Sequence, residues 1–234
     1  PELTPLLDKR AADGLRVAAV TPDVIARTFT RATGPEMILS FARYAYFHWK
    51  RPAPKYLLLV GDAGVAASKY SLKDITIPTF FALTSVDPMT ASDNPYADMD
   101  GDDIPDIAVG RIPADSPEEL RSMVAKILDY EKNSPSGEWR RRVSMFASEG
   151  HFGPVFDSML EEIFKKLVNN NVSPNFDLNM TYASPGMPYF YIPSLFGKKV
   201  IERFNEGSLF MVYIGHGAVN GFDDVRWGKE WFPI

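Results

Sequence analysis

Apolar residues along this chain recur in two spacings, and the two alternate. Short runs that are almost wholly apolar predict strands, since a strand covered on both faces has no polar side to show. Longer stretches with an apolar residue at every third or fourth position predict helices that bury one face. Residues 15–20 form the first short run. A helix over 35–49 follows, with Ile38, Phe41, Ala42, Ala45 and Trp49 on one side. Pro52 and Pro54 close it and lead into a second strand over 56–60, which ends at Gly61-Asp62-Ala63. Residues 75–83 are interrupted by proline, as in an edge strand, and 104–109 predict a strand after an acidic turn. Ser116-Pro117-Glu118-Glu119 is a helix start: a capping serine, a proline in the first turn and a glutamate three residues on. Leu120, Met123, Val124, Ile127 and Leu128 then make the apolar stripe of a helix that packs on a sheet.

The pattern breaks at Asn133-Ser134-Pro135-Ser136-Gly137-Glu138 and restarts. Residues 142–147 predict a strand that ends in Ser148-Glu149-Gly150. A helix follows, carrying Val155, Phe156, Met159, Leu160, Ile163, Phe164 and Leu167 on one side. A loop with Pro174, Pro185, Pro188 and Pro193 precedes a helix over 195–205 that Gly207 stops. Residues 209–214, Leu-Phe-Met-Val-Tyr-Ile, then read as a strand buried on both faces of a parallel sheet. Strand and helix alternate in each half, with no tandem repeat of solenoid type. The expectation is an α/β protein of two similar subdomains, 1–135 and 136–234, side by side, with mostly parallel sheets flanked by helices.

Composition narrows the partners. The 234 residues can bury a proper core, and 45% apolar residues with a mean hydropathy of −0.15 describe an ordinary globular chain. A net charge of −5 argues against nucleic acid or an anionic membrane as main partner. No apolar run approaches the ~20 residues that span a bilayer. The chain opens on Pro1 without a signal-peptide pattern, which predicts a mature or excised segment. It has no cysteine, so disulfides, cysteine zinc sites and a cysteine nucleophile are excluded within these residues.

Candidate chemistry gathers where strands end. In open α/β folds ligands lie beyond the carboxyl ends of the strands, and His216 follows the 209–214 strand between Gly215 and Gly217. Glycines on both sides let the backbone turn sharply and bring its N–H groups close to a substrate. Glu149 follows another strand of the same half. A carboxylate beside an imidazole fixes its tautomer and stabilises the imidazolium. The alternatives are a plain surface-loop histidine, or a metal cluster of Glu149, His151 and His216. No serine sits in a G-x-S-x-G elbow, and Gly61-Asp62-Ala63-Gly64-Val65 lacks the lysine and glycine spacing of nucleotide loops. Separately, Asp98, Asp100, Asp102, Asp103 and Asp106 form an acidic hairpin suited to Ca2+. It lacks the glycine position of an EF-hand, and a solvated turn is the alternative.

Several segments together resemble the gingipain-type cysteine peptidases. Tyr213-Ile214-Gly215-His216-Gly217 resembles their catalytic-histidine segment, and Phe146-Ala147-Ser148-Glu149-Gly150 the segment of its acidic partner. Tyr56 to Asp62 resembles the central strand of their first half. Ser92-Asp93, Asp100-Gly101-Asp102 and Pro105 to Arg111 resemble their acidic hairpin and the Gly-Arg strand after it. The resemblance implies a caspase/gingipain-like α/β fold whose second subdomain is incomplete. It implies peptide hydrolysis with His216 as catalytic histidine, Glu149 as its partner and the Gly217 N–H in the oxyanion hole. A polypeptide is then the substrate, the chemistry requires no cofactor, and the substrate pocket stays unassigned; the candidate Ca2+ ligands of the acidic hairpin, read from the residues alone, are Asp98, Asp100, Asp102 and Asp106. Asp157 is the nearest candidate there, with a helix-start role as the alternative.

The family's cysteine would lie on a further strand, so these residues alone are expected to be inactive, with more domains in the same protein. The location implied is secreted, periplasmic or cell-surface. A sortase-like transpeptidase and a non-catalytic pseudopeptidase or binding module of the same fold are the competing functions. With the cysteine strand lacking, the 209–214 strand is expected to have a bare edge, covered by the tail over 222–234 or by another copy.

Overall fold

The computed structural model describes residues 1–29, 31–63, 77–83, 90–147, 159, 162, 165–166, 168–183, 189–215, 217–218, 221–222, 225–227 and 230–232. They form two compact units, Pro1–Ser134 and Pro135–Ile234.

In the first unit, helices α1 (Thr4–Ala12), α2 (Pro22–Thr28) and α3 (Gly34–His48) precede strand β1 (Tyr56–Val60). The short hairpin of β2 (Phe80–Ala82) and β3 (Thr90–Ser92) leads to β4 (Ala108–Ile112) and helix α4 (Pro117–Asn133). β1 and β4 pair in parallel, from Tyr56 opposite Ala108 to Val60 opposite Ile112. Alternate side chains go to opposite faces. Leu57, Leu59 and Val109 meet Ile38, Leu39 and Ala42 of α3, with Tyr96, Met99 and Ile107 in the same cluster. Val60 and Ile112 meet Leu6 of α1 and Leu120 and Val124 of α4. The α1–α4 layer covers only that end of the face, so Tyr56 and Leu58 are exposed at 65% and 45%. The cap of α4 forms as its sequence predicts: Ser116 Oγ accepts from the Glu119 N–H at 3.2 Å. Glu119 returns the favour one residue early, accepting from the Asp115 N–H at 2.9 Å. Such a cap contributes about 1 kcal/mol.

Two expected strands differ. Residues 15–20 are exposed and make no strand, because β-propensity needs a ladder partner and none of the described residues supplies one. Arg16 instead donates to the carbonyls of Lys50 and Pro52. The strand expected over 104–109 begins only at Ala108. Residues before it are drawn into the acidic loop, where the Asp106 N–H bonds the Ala97 carbonyl at 2.9 Å.

The second unit centres on three parallel strands in the order β6 (Asp177–Tyr182), β5 (Arg142–Ala147), β7 (Phe210–Ile214). Met159, Glu162, Lys165, Lys166 and residues 168–171 are helical, within the expected 155–167 helix and just past it. Helix α5 (Pro193–Glu206) packs Phe196 and Val200 against Phe146 and Ala183, with Met211 and Tyr213 at the margin. Gly207 at φ +73° ends α5 in a conformation that suits glycine. Ser144 and Ser208 share a hydroxyl hydrogen bond of 2.6 Å beneath this layer. β6 lies inside the stretch expected to be a loop, where flanking prolines hide its short alternating pattern.

β7 is not buried on both faces, and among the described residues it is an edge strand. Met211 and Tyr213 turn to the α5 side, while Phe210 on the other face is 61% exposed. Two small hairpins follow it: β8 (Gly217–Ala218) with β9 (Gly221–Phe222), and β10 (Val225–Trp227) with β11 (Glu230–Phe232). Phe222 folds back onto the Tyr213 ring, centroids 4.2 Å apart. That contact covers a face of the sheet, and no described strand pairs with the free edge of β7.

Candidate functional site

The three strands of the second unit stop level with one another. Ala147 of β5 stands opposite Tyr182 of β6 on one side and Ile214 of β7 on the other. Glu149 follows β5 by two residues and His216 follows β7 by two, on strands that are hydrogen-bonded neighbours. Both side chains lie outside the described residues, as do His151 and Asp157. Gly217 opens the β8–β9 hairpin, opposite Phe222.

The β6 side of this edge is built in detail. The Ala183 N–H donates to the Ala147 carbonyl at 3.0 Å, which ties β6 to β5. Tyr182, whose N–H points the other way, bonds the Tyr189 carbonyl at 3.2 Å. The Tyr191 N–H in turn bonds the Tyr182 carbonyl at 2.9 Å. A parallel bridge between Tyr182 and Phe190 completes one extra rung. Tyr189 is held there at φ +64° with two-thirds of its surface exposed. A bulky residue in the left-handed region is a genuine conformational outlier. Nothing in the sequence reveals this beyond the turn-forming neighbours Pro185, Gly186 and Pro188.

The carboxyl end of the first unit's sheet is arranged differently. Arg111 of β4 grips both carboxylate oxygens of Asp93, each at 2.7 Å, through Nε and Nη2. Its Nη1 donates to the carbonyls of Gly61 and Ile77, both at 2.9 Å. Thr79 Oγ1 adds a bond to Asp93 at 2.9 Å, and the Tyr96 hydroxyl donates to Pro78 O at 2.6 Å. The Arg111 hydrogen bonds hold the Asp93 carboxyl below its usual range. Burial pushes the Tyr96 hydroxyl well up. A guanidinium so saturated joins the loops after β1 and β3 to the sheet and has no donor geometry left for a ligand. Sequence reading singled out Asp93 and Arg111 separately, with no sign that they pair.

The acidic stretch, expected as a hairpin, is a loop between the single turn at Asn94–Ala97 and β4, and it brings together three of its four candidate ligands. Carboxylate oxygens of Asp98, Asp100 and Asp106 lie within 4.8 Å of one another, which suits oxygen ligands at about 2.3–2.6 Å around one Ca2+. Asp102 is outside this group and accepts the Ile104 N–H at 2.9 Å. Asp98 and Asp106 each use one oxygen on a backbone N–H, of Gly101 at 2.6 Å and Met99 at 2.8 Å. Loss of hydration, then the charges of Asp102 and Asp106, raise the Asp100 carboxyl. Arg43 donates to the Asp98 carbonyl at 3.1 Å and steadies the loop from α3. Among the described residues no helix is long and apolar enough to cross a membrane.

Residues 1–232 match the sequence profile of Peptidase family C25. Gingipain R2 of Porphyromonas gingivalis is 28% identical over 180 residues, 76% of this chain and 20% of the relative. Gingipain R1 from the same organism shows the same identity across 15% of its own length. Lys-gingipain of that organism is 25% identical over 174 residues, 9% of its length. The aligned region is thus a fifth or less of each of these relatives. No solved structure matches the chain.

Proposed function

The chain belongs to peptidase family C25, and on that premise we propose that it carries the histidine side of a cysteine peptidase active site. His216 takes the proton from a cysteine thiol and later hands it to the leaving amine. Glu149 holds the imidazole in the required tautomer, and the Gly217 N–H receives the developing oxyanion. The thiolate attacks the scissile carbonyl, the amine departs with the histidine's proton, and water then releases the acyl group. The 234 residues hold no cysteine, so the thiol is supplied from outside them and they hydrolyse no peptide alone.

One observation carries this reading. β5 and β7 are parallel neighbours that end in register at Ala147 and Ile214. Strands about 4.8 Å apart bring the residues that follow them to one sheet edge. Cleavage of fluorogenic peptides by the full-length gene product, abolished by iodoacetamide, tests it. Turnover that survives thiol alkylation, or a structure with Glu149 and His216 more than ~10 Å apart, sinks it.

The second part of the proposal is a structural Ca2+ held by Asp98, Asp100 and Asp106, supported by the convergence of their oxygens. The third is a secreted, periplasmic or cell-surface location, as the family resemblance implies, to be checked by cell fractionation.

A further inference from the structure

Tyr189 is a backbone outlier on the outer edge of β6. Its backbone is tied through its carbonyl to Tyr182, at φ +64°, yet the residue is 66% exposed. Glycine or asparagine takes such a conformation at little cost, and a tyrosine there is disfavoured. Strain of this kind persists where the surroundings impose it and clusters at ligand-binding sites. The next residues continue the exposed apolar surface: Ile192 and Leu195 are 55% and 51% exposed. Leu195 lines a shallow groove of about 160 Å³ with Tyr191, Lys198, Lys199 and Glu202.

We propose that Tyr189 is a substrate-binding residue, an aromatic platform for one large apolar side chain of an extended peptide. This rests on the peptidase reading above. Tyr182 and Ile214 are separated by two strand spacings, roughly 10 Å. The rung holding Tyr189 on the outer edge of β6 adds a third, for roughly 14 Å in all. An extended peptide advances about 3.3 Å per residue, so the contacted side chain stands about four residues from the scissile bond. A peptide laid along the carboxyl edge from β7 past β6 reaches Tyr189 and then the Leu195 groove. An exposed tyrosine stiffened by its backbone gives such a contact large area at low entropic cost.

The test compares wild type, Tyr189→Gly, Tyr189→Asn and Tyr189→Phe in the full-length gene product. The substrates are decapeptides carrying Phe or Ser at each position three to five residues from the cleaved bond. Wild type should prefer Phe at one of these positions. Tyr189→Gly should raise KM for that peptide roughly tenfold with kcat unchanged, the signature of a lost remote contact. Its melting temperature should hold or rise, since glycine relieves the backbone; Tyr189→Phe should retain the preference. A Phe preference that survives in Tyr189→Gly overturns the inference. So does a loss equal for Phe and Ser peptides accompanied by a lower melting temperature. If the glycine variant fails to fold, Tyr189→Asn, which also tolerates this conformation, decides by the same criteria. If wild type cleaves nothing, the peptidase reading fails. Fluorescence anisotropy of the labelled decapeptides then decides: tighter Phe-peptide binding lost in Tyr189→Gly sustains the platform, and equal binding ends it.

Discussion

Each unit carries a parallel sheet, of two described strands in the first and three in the second, and the described carboxyl edges differ. Among the described residues of the first unit, the charged groups at this edge are tied up by their own neighbours. Arg111 and Asp93 satisfy each other, and the remaining donors take the carbonyls of Gly61, Ile77 and Pro78. In the second unit the described edge offers backbone rungs at Ala147 and Tyr182 and an exposed, strained Tyr189. It leads directly to the sequence positions of Glu149 and His216. A strand end is thus only a location for chemistry. In the first unit the arginine and aspartate delivered there are spent on one another and on backbone carbonyls.

The sharpest way to break the comparison is to remove one residue from each edge. His216→Ala in the full-length gene product should cost about 10²–10⁴ in kcat/KM with little change in melting temperature. Arg111→Ala should do the reverse. It strands Asp93 among carbonyls, and because that carboxylate keeps some water access the loss should be about 2–3 kcal/mol, near the low end for broken ion pairs. Urea unfolding measures it. Comparable losses of activity and stability in both variants would erase the distinction between a closed edge and a working one.

How much of this was legible beforehand depends on how local the signal is. α3, α4 and β5 announce themselves through period or capping, because those signals lie within one element. β1 and β7 were legible as strands, but their burial was not: Leu58 and Phe210 are exposed because burial depends on which layers cover the sheet. Residues 15–20 have the composition of a strand and no ladder, while β6 has the ladder and a proline-framed sequence that reads as loop. The Asp93–Arg111 pair spans 18 positions and exists only once β3 and β4 are placed. The Tyr189 carbonyl accepts from the Tyr182 N–H, and the positive φ of Tyr189 leaves no trace in residue type. Glu149 and His216 are singled out as candidates for a general reason, that parallel sheets deliver loops to one edge.

Acid sharpens the contrast within the first unit. Asp93 has a lowered folded-state pKa, so its stabilising contribution is present above the unfolded value near 3.8 and fades as pH falls below it. Wild type should therefore lose stability as pH drops from about 5 towards 2. Asp93→Asn should start less stable at pH 7 and show a flatter decline, read from urea midpoints across that range. Parallel curves for the two proteins would mean that the Arg111 grip is formed in the unfolded chain as well, or is energetically idle.

The smallest expected effect lies a few residues further on, where Asp100 has the opposite environment. Its pKa is raised by lost hydration and by the charges of Asp102 and Asp106. The sign follows directly: the folded state holds that proton more tightly than the unfolded chain, so this group's contribution improves as pH falls. At pH 7, without Ca2+, Asp100→Asn removes a repelling charge and should raise the melting temperature by about 1 °C. In millimolar Ca2+ the order should reverse. On the proposed site, a cation held by Asp98, Asp100 and Asp106 would stabilise wild type by mass action, and the variant would lack one of those three ligands. Wild type and Asp100→Asn melting at fixed separation in Ca2+ and in chelator would leave the hairpin as a solvated turn whose crowded charges have no cation to serve.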